Sequence, residues 1–376
     1  MNTKKLGFGL MRLPQSDPAD ASKIDYAALC KMADRYLEAG FNYFDTAFPY
    51  HGGGNSEIAF RECVAGRHPR DAYTLTDKLS FFVVQKAEEL EDFFAGQLER
   101  CGVEYFDYYL LHSMNRDYLE LAEKIGAFDF VAQKKAEGKI RHVGLSFHDT
   151  ADALDEILTR HPEMEYVQLQ INYVDWENVE VQSRKCYEVA VKHNKPVLVM
   201  EPVKGGLLSN VPPEAEELLK KARPDMSVAS WAVRFAASLP NVAMVLSGMT
   251  TPEQMEDNLS YMDHFKPFTD EEKQLVEKVA GIITSKESIA CTACRYCVDG
   301  CPQKIGIPDY FKLVNDVDKF GERQIPLAKN YYTHYTTTLG MGKASSCIGC
   351  RQCEQHCPQH LPIIENLKKV SGLFEG

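Results

Sequence analysis

Four side chains that can move protons recur near the ends of apolar runs in the first third of the chain. Asp45 ends one run, and Tyr50 lies in the glycine-rich loop that follows it. Lys78 and His112 end two later runs. If these runs are neighbouring parallel strands, their ends meet at one edge of the sheet. An acid, a phenol, an amine and an imidazole are then expected to line a single pocket.

Such a set can deliver a proton to an oxygen atom that gains negative charge when a carbonyl is reduced by hydride. A free tyrosine has a pKa of about 10, which is too high for efficient proton exchange at neutral pH. We expect the Lys78 ammonium to stabilise the phenolate and to lower the pKa of Tyr50. Asp45 would hold Lys78 in place, and His112 would donate a hydrogen bond to the substrate oxygen. The alternative is a buried polar network that binds no substrate.

Eight of the twelve cysteines lie in two runs near the C-terminus, each with the spacing C-x2-C-x2-C-x3-C-P. This spacing is typical of bacterial iron–sulfur proteins, in which three thiolates hold one cluster and the fourth reaches the partner cluster. We therefore expect one 4Fe-4S cluster on Cys291, Cys294, Cys297 and Cys357, and another on Cys347, Cys350, Cys353 and Cys301. Structural zinc is the alternative, but zinc sites more often combine two CxxC pairs.

The other four cysteines, Cys30, Cys63, Cys101 and Cys186, are scattered, and no apolar signal segment opens the sequence. We expect them to be small buried side chains in a cytoplasmic protein. The net charge is −12, from 42 basic and 54 acidic residues, which argues against a nucleic-acid partner. No apolar run reaches membrane-spanning length, so we expect no membrane partner.

The elements that position these residues follow one repeated pattern along residues 1–284, a short apolar run and then an amphipathic helix. After a first run at 6–13, the predicted strands are 43–46, 73–78, 106–112, 142–147, 166–172, 196–202 and 242–248. About eight such units predict a closed (β/α)8 TIM barrel. An open doubly wound sheet is the alternative, but the polar residues recur at many strand ends. Residues 6–13 are either the first strand or part of a hairpin that closes the bottom of the barrel.

Residues 285–376 are expected to form a separate, mainly α-helical domain that contains both cysteine runs. The two runs share a Pro-Gln pair after the fourth cysteine, which indicates an internal duplication. Between the runs, residues 307–320 are predicted to be helical and residues 321–343 to form a polar loop. This region resembles a two-cluster ferredoxin module.

Residues 1–284 resemble the aldo/keto reductase family. The resemblance rests on Phe44-Asp45-Thr-Ala with Tyr50, on Gly54-Asn-Ser-Glu57, on Lys78, on Leu111-His112, and on residues 140–146. It implies that Asp45, Tyr50, Lys78 and His112 are the family's catalytic tetrad.

The resemblance also implies a set of cofactor-binding positions at the strand ends: Ser146, Gln168, Met200, Lys204, Ser247, Gly248, Gln254 and Asn258. Met200 stands where the family has an aromatic residue that stacks on the nicotinamide. Gly248 and Gln254 replace the basic residues that hold the 2′-phosphate of NADPH, and Lys204 is the nearby cation. Thr250 or Thr251 is expected to cap a helix whose N-terminus can hold a phosphate.

Iron–sulfur clusters transfer single electrons, whereas nicotinamide transfers a hydride, and a flavin can couple the two. The sequence therefore predicts an oxidoreductase that reduces a carbonyl-like small molecule, with two 4Fe-4S clusters and either NADP(H) or FMN. Its electron partner would be ferredoxin or another carrier. The alternative is a non-catalytic electron-transfer or redox-sensing protein in which the barrel is a scaffold.

Overall fold

The computed structural model describes residues 4–17, 20 and 22–376. The chain forms two compact units, Met1–Leu208 with Asp225–Lys273, and Ser209–Pro224 with Gln274–Gly376. The sequence-based boundary between residues 284 and 285 stays a prediction. No helix within the described ranges has the length and apolar character that crossing a membrane requires.

Eight parallel strands close into a barrel in the first unit, each paired with its neighbours in chain order. They are β1 Leu6–Gly9, β2 Tyr43–Asp45, β3 Thr74–Leu79, β4 Phe106–Met114, β5 Ile140–Phe147, β6 Tyr166–Gln170, β7 Val197–Met200 and β8 Val242–Gly248. The predicted barrel is therefore confirmed, and the open sheet is wrong. The hairpin considered for residues 6–13 is also wrong, because β1 pairs in parallel with both β2 and β8.

Sixteen α-helices occur in the described part of the chain. They are α1 Tyr26–Glu38, α2 Asn55–Phe60, α3 Leu90–Cys101, α4 Arg116–Lys124, α5 Ala127–Ala136, α6 Ala151–Arg160, α7 Ser183–Lys192, α8 Pro213–Ala222, α9 Val228–Ala237, α10 Pro252–Met262, α11 Asp270–Thr284, α12 Tyr296–Asp299, α13 Ile307–Phe320, α14 Ile325–Thr337, α15 Gln352–His356 and α16 Ile363–Phe374. The prediction of a loop over residues 321–343 is wrong, because α14 occupies most of that range.

Large side chains from neighbouring strands fill the inside of the barrel, and this packing demands glycine at Gly144. A Cβ atom at Gly144 would lie 2.7 Å from the ring of Tyr166 and 2.5 Å from its carbonyl oxygen. Such distances are far inside van der Waals contact, so no other residue fits there without movement of the sheet. The glycine thus allows the Tyr166 ring to lie inside the barrel.

A disulfide links Cys30 in α1 to Cys63 in the π-helical turn that continues α2. Their Cα atoms are 4.5 Å apart. The expectation of unpaired buried cysteines is wrong for this pair, because the packing of α1 against this turn brings together two residues 33 positions apart. Cys101 and Cys186 are buried and lie outside any disulfide.

The second unit has its own apolar core, built by α13, α14 and α16. Phe311 and Val314 of α13 and Val370 of α16 are among its buried side chains. The two cysteine runs lie in loops and one-turn helices beside this core, and several of their cysteines pack against it. The core therefore positions the thiols.

Candidate active site and cluster-binding loops

Lys78 lies at the centre of the predicted set of proton-moving side chains. It is fully buried near the end of β3. Its Nζ atom donates to Oδ1 of Asp45 at 2.6 Å, to the carbonyl oxygen of Thr46 at 2.8 Å and to the hydroxyl of Tyr50 at 3.3 Å. An ammonium has three N–H donors, and all three have acceptors here. Three of the four predicted residues therefore form one hydrogen-bonded group at the C-terminal end of the barrel.

The loop after β2 positions Tyr50. Asn55 donates a side-chain hydrogen bond to the carbonyl of His51 at 2.6 Å, and the Nε2 of His51 accepts from the backbone N–H of Leu13 at 3.2 Å. Three consecutive glycines, 52–54, all adopt left-handed φ angles between 82° and 85°. Only glycine adopts that conformation without strain, so the Gly-Gly-Gly sequence sets the turn that carries the chain from Tyr50 into α2.

The pKa of Tyr50 is raised, whereas the sequence led us to expect that it would be lowered. Burial raises the pKa of Tyr50 above its ordinary value of 10, and the nearby Lys78 charge opposes this rise without outweighing it. Burial tends to lower the pKa of Lys78, but the Asp45 carboxylate and Tyr50 raise it overall. The expected fall in the pKa of Tyr50 is therefore wrong for the protein alone. The phenol holds its proton, and the lysine holds its charge.

His112 lies beside this group on β4. Its ring centroid is 6.4 Å from that of Tyr50, and the two rings are nearly perpendicular. Burial, then the Lys78 charge, lowers the pKa of His112 well below 6.5, so the imidazole is neutral. Its Nδ1 atom is buried and has no hydrogen-bond partner among the described residues. All four predicted residues thus lie together.

Two of the predicted cofactor positions are hydrogen-bonded to residues on other strands of the barrel. The amide of Gln168 on β6 donates to Oδ2 of Asp45 at 3.1 Å. The hydroxyl of Ser146 on β5 accepts from the backbone N–H of Ser113 at 2.8 Å, where β4 becomes irregular. Both side chains are buried at the same end of the barrel as Lys78. The structure therefore brings Ser146 and Gln168 next to the candidate site.

Lys204, which the sequence indicated as a cation for the cofactor phosphate, is already bound to a carboxylate within the protein. Its Nζ atom lies 2.7 Å from the buried carboxylate of Asp175. Burial alone would raise the pKa of Asp175, but Lys204 and the side-chain amides of Asn172 and Gln170 lower it to about 2. Lys204 is thus already neutralised by an internal ion pair. Met200 ends β7 and is partly buried.

The predicted positions after β8 form a capped helix start. Asn258 donates to the hydroxyl of Ser247 at 2.7 Å, which ties α10 to the strand end. Thr251 is the N-cap and accepts from the backbone N–H of Gln254 at 3.3 Å. The side chain of Gln254 accepts in return from the N–H of Thr250 at 2.7 Å. Gln254 therefore occupies donors that would otherwise face a ligand phosphate.

Arg12 is a cation beside the predicted cofactor position Gly248, and the sequence did not indicate it. Its side chain packs against Gly248, where an added Cβ would lie 3.3 Å from the Cβ and Cδ of Arg12. Its guanidinium is 3.9 Å from the carboxylate of Glu201, and 40% of the side chain is exposed. Because Arg12 and Gly248 are 236 positions apart, only the closure of β1 on β8 brings them together.

The cysteines separate into the two predicted groups of four. One cavity is lined by Cys291, Cys294, Cys297 and Cys357. The other is lined by Cys301, Cys347, Cys350 and Cys353. Each group takes three thiols from one run and the fourth from the other, which is the arrangement that two-cluster iron–sulfur proteins use. The donors present therefore fit two 4Fe-4S clusters.

The backbones of the two runs repeat each other. Arg295 and Arg351, which follow the second cysteine of each run, have φ angles of 62° and 64°. Ala293 has a φ of 52°, and its counterpart Gly349 has a φ of 68°. Left-handed conformations are unusual for residues other than glycine. Their repetition at equivalent positions supports the internal duplication.

Comparison with known proteins agrees with this architecture. Residues 5–280 match the model of the aldo/keto reductase family, and residues 290–361 match that of a 4Fe-4S dicluster domain. The NADH-specific methylglyoxal reductase of Escherichia coli is 26% identical over 277 residues, which cover 61% of this chain and 82% of the relative. An aldo-keto reductase of Mycobacterium avium is 26% identical over 258 residues, covering 69% of this chain and 80% of the relative.

Solved structures with this barrel include an aldo-keto reductase of Bacillus halodurans in its holo form. It is 26% identical, with a TM-score of 0.57, over 73% of this chain and 91% of that one. A Klebsiella pneumoniae aldo-keto reductase, solved in complex with NADPH, has a TM-score of 0.57 at 20% identity, over 73% and 90% of the two chains. With both regions matched, the chain belongs to the aldo/keto reductase family and is an oxidoreductase that carries a 4Fe-4S dicluster domain.

Proposed function

We propose that the protein reduces the carbonyl group of a small molecule at the C-terminal end of its barrel, with Tyr50 as the proton donor. The observation that carries this proposal is the position of Lys78, which bridges the Asp45 carboxylate and the Tyr50 hydroxyl. Lysine can only donate in these contacts, so the oxygen of Tyr50 accepts from it. The phenol proton is then left for a second acceptor, the substrate oxygen.

The protonation states support this role. Tyr50 keeps its proton until the substrate oxygen gains charge, because burial raises the pKa of the phenol. Lys78 remains charged and stabilises the phenolate that forms when the proton leaves. His112 is neutral and can donate one hydrogen bond to the same oxygen, which fixes the direction of the carbonyl.

The hydride donor we propose is a nicotinamide cofactor. When bound, it would supply a hydride, which is a hydrogen with two electrons, to the carbonyl carbon. Ser146, Gln168, Ser247 and Asn258 would hold it: all four are buried, Ser146 and Ser247 lie near the C-terminal ends of their strands, Gln168 is bonded to Asp45, and Asn258 of α10 is bonded to Ser247. Gly248 offers no side chain to a ribose phosphate, and Gln254 is engaged with its own helix. The Arg12 guanidinium beside Gly248 lies 3.9 Å from the Glu201 carboxylate, which offsets its charge. Together these features favour NADH over NADPH, in keeping with the name of the Escherichia coli relative.

The dicluster domain would hold two 4Fe-4S clusters on its two groups of four cysteines. When bound, these clusters exchange single electrons with a carrier such as ferredoxin. A flavin would be needed wherever single electrons and hydride are exchanged within this protein. We propose nicotinamide as the reductant of the substrate. If the clusters exchange electrons with the barrel site, FMN would occupy that site in its place.

One experiment tests both parts. Anaerobically purified protein with reconstituted clusters is assayed with methylglyoxal as the probe carbonyl and NADH as the donor. We expect NADH oxidation that depends on methylglyoxal, and no flavin among the small molecules released by denaturation and identified by mass spectrometry. Release of stoichiometric FMN would replace nicotinamide in the proposal. The absence of reduction of methylglyoxal and other aldehydes with any donor, including dithionite, would contradict the proposal and favour a scaffold role.

A further inference from the structure

Helix α3 contacts both the loop that carries Tyr50 and the end of β3 that carries Lys78. Gln97 on α3 is fully buried, and its side-chain amide donates to the backbone carbonyl of Lys78 and to one carboxylate oxygen of Glu57, at 3.1 Å each. Arg100, one turn further along α3, donates to the other oxygen of the same carboxylate. Because Glu57 lies on α2, the two side chains connect α3 to β3 and to α2 through one acid.

The side chain of Arg100 lies against both ends of the loop 48–54, which contains Tyr50. Its guanidinium carbon is 4.8 Å from the centre of the Phe48 ring, where the loop begins. At the end of the loop, a Cβ atom added to Gly54 would lie 2.8 Å from Cδ and 3.0 Å from Nε of Arg100. The N–H of Gly54 also donates to the carbonyl of Phe48 at 2.6 Å. Arg100 therefore contacts the base of the turn that carries Tyr50.

The ion pair that anchors Arg100 is largely shielded from water. The Glu57 side chain is fully buried, and only 26% of the Arg100 side chain is exposed. Burial raises the pKa of Glu57, and the hydrogen bond and charge of Arg100 oppose this rise. Removing one partner of such a pair is costly, because the other partner stays buried without its counter-charge, whereas exposed ion pairs contribute little. The pair therefore holds the guanidinium in one position under the loop.

We propose that Arg100 is a positioning residue for carbonyl reduction. It keeps the loop 48–54 against α3, and so keeps the Tyr50 hydroxyl within hydrogen-bond distance of Lys78. The inference rests on the proposed function, in which Tyr50 gives its proton to the substrate oxygen. The hydroxyl is 3.3 Å from the Nζ atom of Lys78, the longest of the three contacts that this ammonium makes. A displacement of about 1 Å would break this contact and lower turnover by up to about 10²-fold.

The test uses full-length protein with reconstituted clusters and compares Arg100→Met with Arg70→Met as the matched control. Arg70 is also mostly buried, with 24% of its side chain exposed, and it lies 2.6 Å from the buried carboxylate of Asp107. Its guanidinium carbon is 3.9 Å from the centre of the Tyr105 ring. Asp107 is near the start of β4, so this pair lies at the end of the barrel opposite to Tyr50. Both variants thus lose a guanidinium from similar surroundings.

Arg100→Met should lower kcat for methylglyoxal reduction about 10- to 100-fold and change the KM for NADH less than about threefold. Arg70→Met should lower the melting temperature by a similar amount and change kcat less than about twofold. In a Tyr50→Phe background, Arg100→Met should change the residual rate less than about twofold, because the hydroxyl that Arg100 positions is absent. A crystal structure of Arg100→Met should show the Tyr50 hydroxyl beyond about 3.5 Å from the Nζ atom of Lys78.

Equal kcat values for Arg100→Met and Arg70→Met would overturn the positioning role. An equal loss from Arg100→Met with and without the Tyr50 hydroxyl would also overturn it, since a merely structural defect acts in both backgrounds. Near-normal reduction by Tyr50→Phe alone would instead overturn the proposed function, and this inference with it. Should Arg100→Met fail to fold, the double variant Arg100→Met/Glu57→Gln replaces it in every comparison, because it also removes the carboxylate that has lost its cation.

Discussion

Gln168 donates its side-chain amide to the oxygen of Asp45 that Lys78 does not use, at 3.1 Å. Both carboxylate oxygens of Asp45 are therefore engaged, one by an ammonium and one by an amide. Gln168 lies on β6 and Asp45 on β2, so the bond crosses the inside of the barrel. A residue expected to contact the cofactor and a residue expected to act in proton transfer thus belong to one hydrogen-bonded network.

Replacement of Lys78 by methionine tests this network. The change leaves the buried Asp45 without its cation, which is expected to lower the free energy of unfolding by about 3–5 kcal/mol. It also removes the charge that opposes the rise in the pKa of Tyr50, so kcat/KM should fall about 10²- to 10⁴-fold. The double variant Lys78→Met/Asp45→Asn is the control. It should recover much of the stability and none of the activity, and an active Lys78→Met protein would refute the assigned role.

The pH dependence of stability tests the state of His112. Its pKa in the folded protein is lowered well below 6.5, whereas the unfolded chain takes up a proton near pH 6.5. The unfolded state thus binds more protons below that pH, and stability falls as the pH falls. Each pH unit below 6.5 should cost about 1.4 kcal/mol more in wild type than in His112→Gln. Denaturant titrations between pH 7.5 and 5.5 provide the comparison, and parallel curves would mean that His112 titrates normally.

Each group of four thiols takes its fourth cysteine from the other run, which gives a prediction that two matched variants test. Cys357 lines the cavity of the first run, and Cys301 lines that of the second. Cys357→Ser should therefore disturb the cluster held by 291–297, and Cys301→Ser the cluster held by 347–353. Each variant should lose up to about half of the iron, with distinct changes in the electron paramagnetic resonance spectrum. Identical spectra for the two variants would contradict the exchange.

Gln254 gives a test of cofactor preference. Its side-chain oxygen accepts from the N–H of Thr250, and the residue carries no charge toward a ribose phosphate. Gln254→Arg adds a cation at this helix start, and a charge-assisted hydrogen bond should raise the ratio of kcat/KM for NADPH to that for NADH about tenfold or more. Gln254→Met removes the same cap without adding charge and should leave the ratio unchanged. An equal change in both variants would show that the cap, and not the charge, sets the preference.

The sequence predicted the parts of the site that depend on strand order. Parallel strands end at the same edge, so the apolar runs before Asp45, Lys78 and His112 sufficed to place these residues together. The cysteine spacing likewise predicted that each group of four thiols includes one cysteine from the other run, as the two cavities show. The pKa of Tyr50 could not be predicted, because it depends on how much burial offsets the charge of Lys78.

Features that depend on packing between distant segments were missed. Helix α14 lies within a tyrosine- and threonine-rich stretch with only two buried residues, Ala328 and Tyr332, so no apolar period marked it. Residues 116–136 form two helices, α4 and α5, because Gly126 adopts a left-handed φ of 73° between them. The pairing of Lys204 with Asp175 required the folded loops.

The most direct test is the replacement of Tyr50 by phenylalanine, which removes only the hydroxyl oxygen. Carbonyl reduction by this variant is expected to fall at least 10²-fold, while iron content and cluster spectra match those of the wild-type protein and the melting temperature falls by only a few degrees, because one N–H of Lys78 loses its acceptor. Near-normal reduction by Tyr50→Phe would show that the proton comes from another group and would contradict the role of Tyr50 as proton donor.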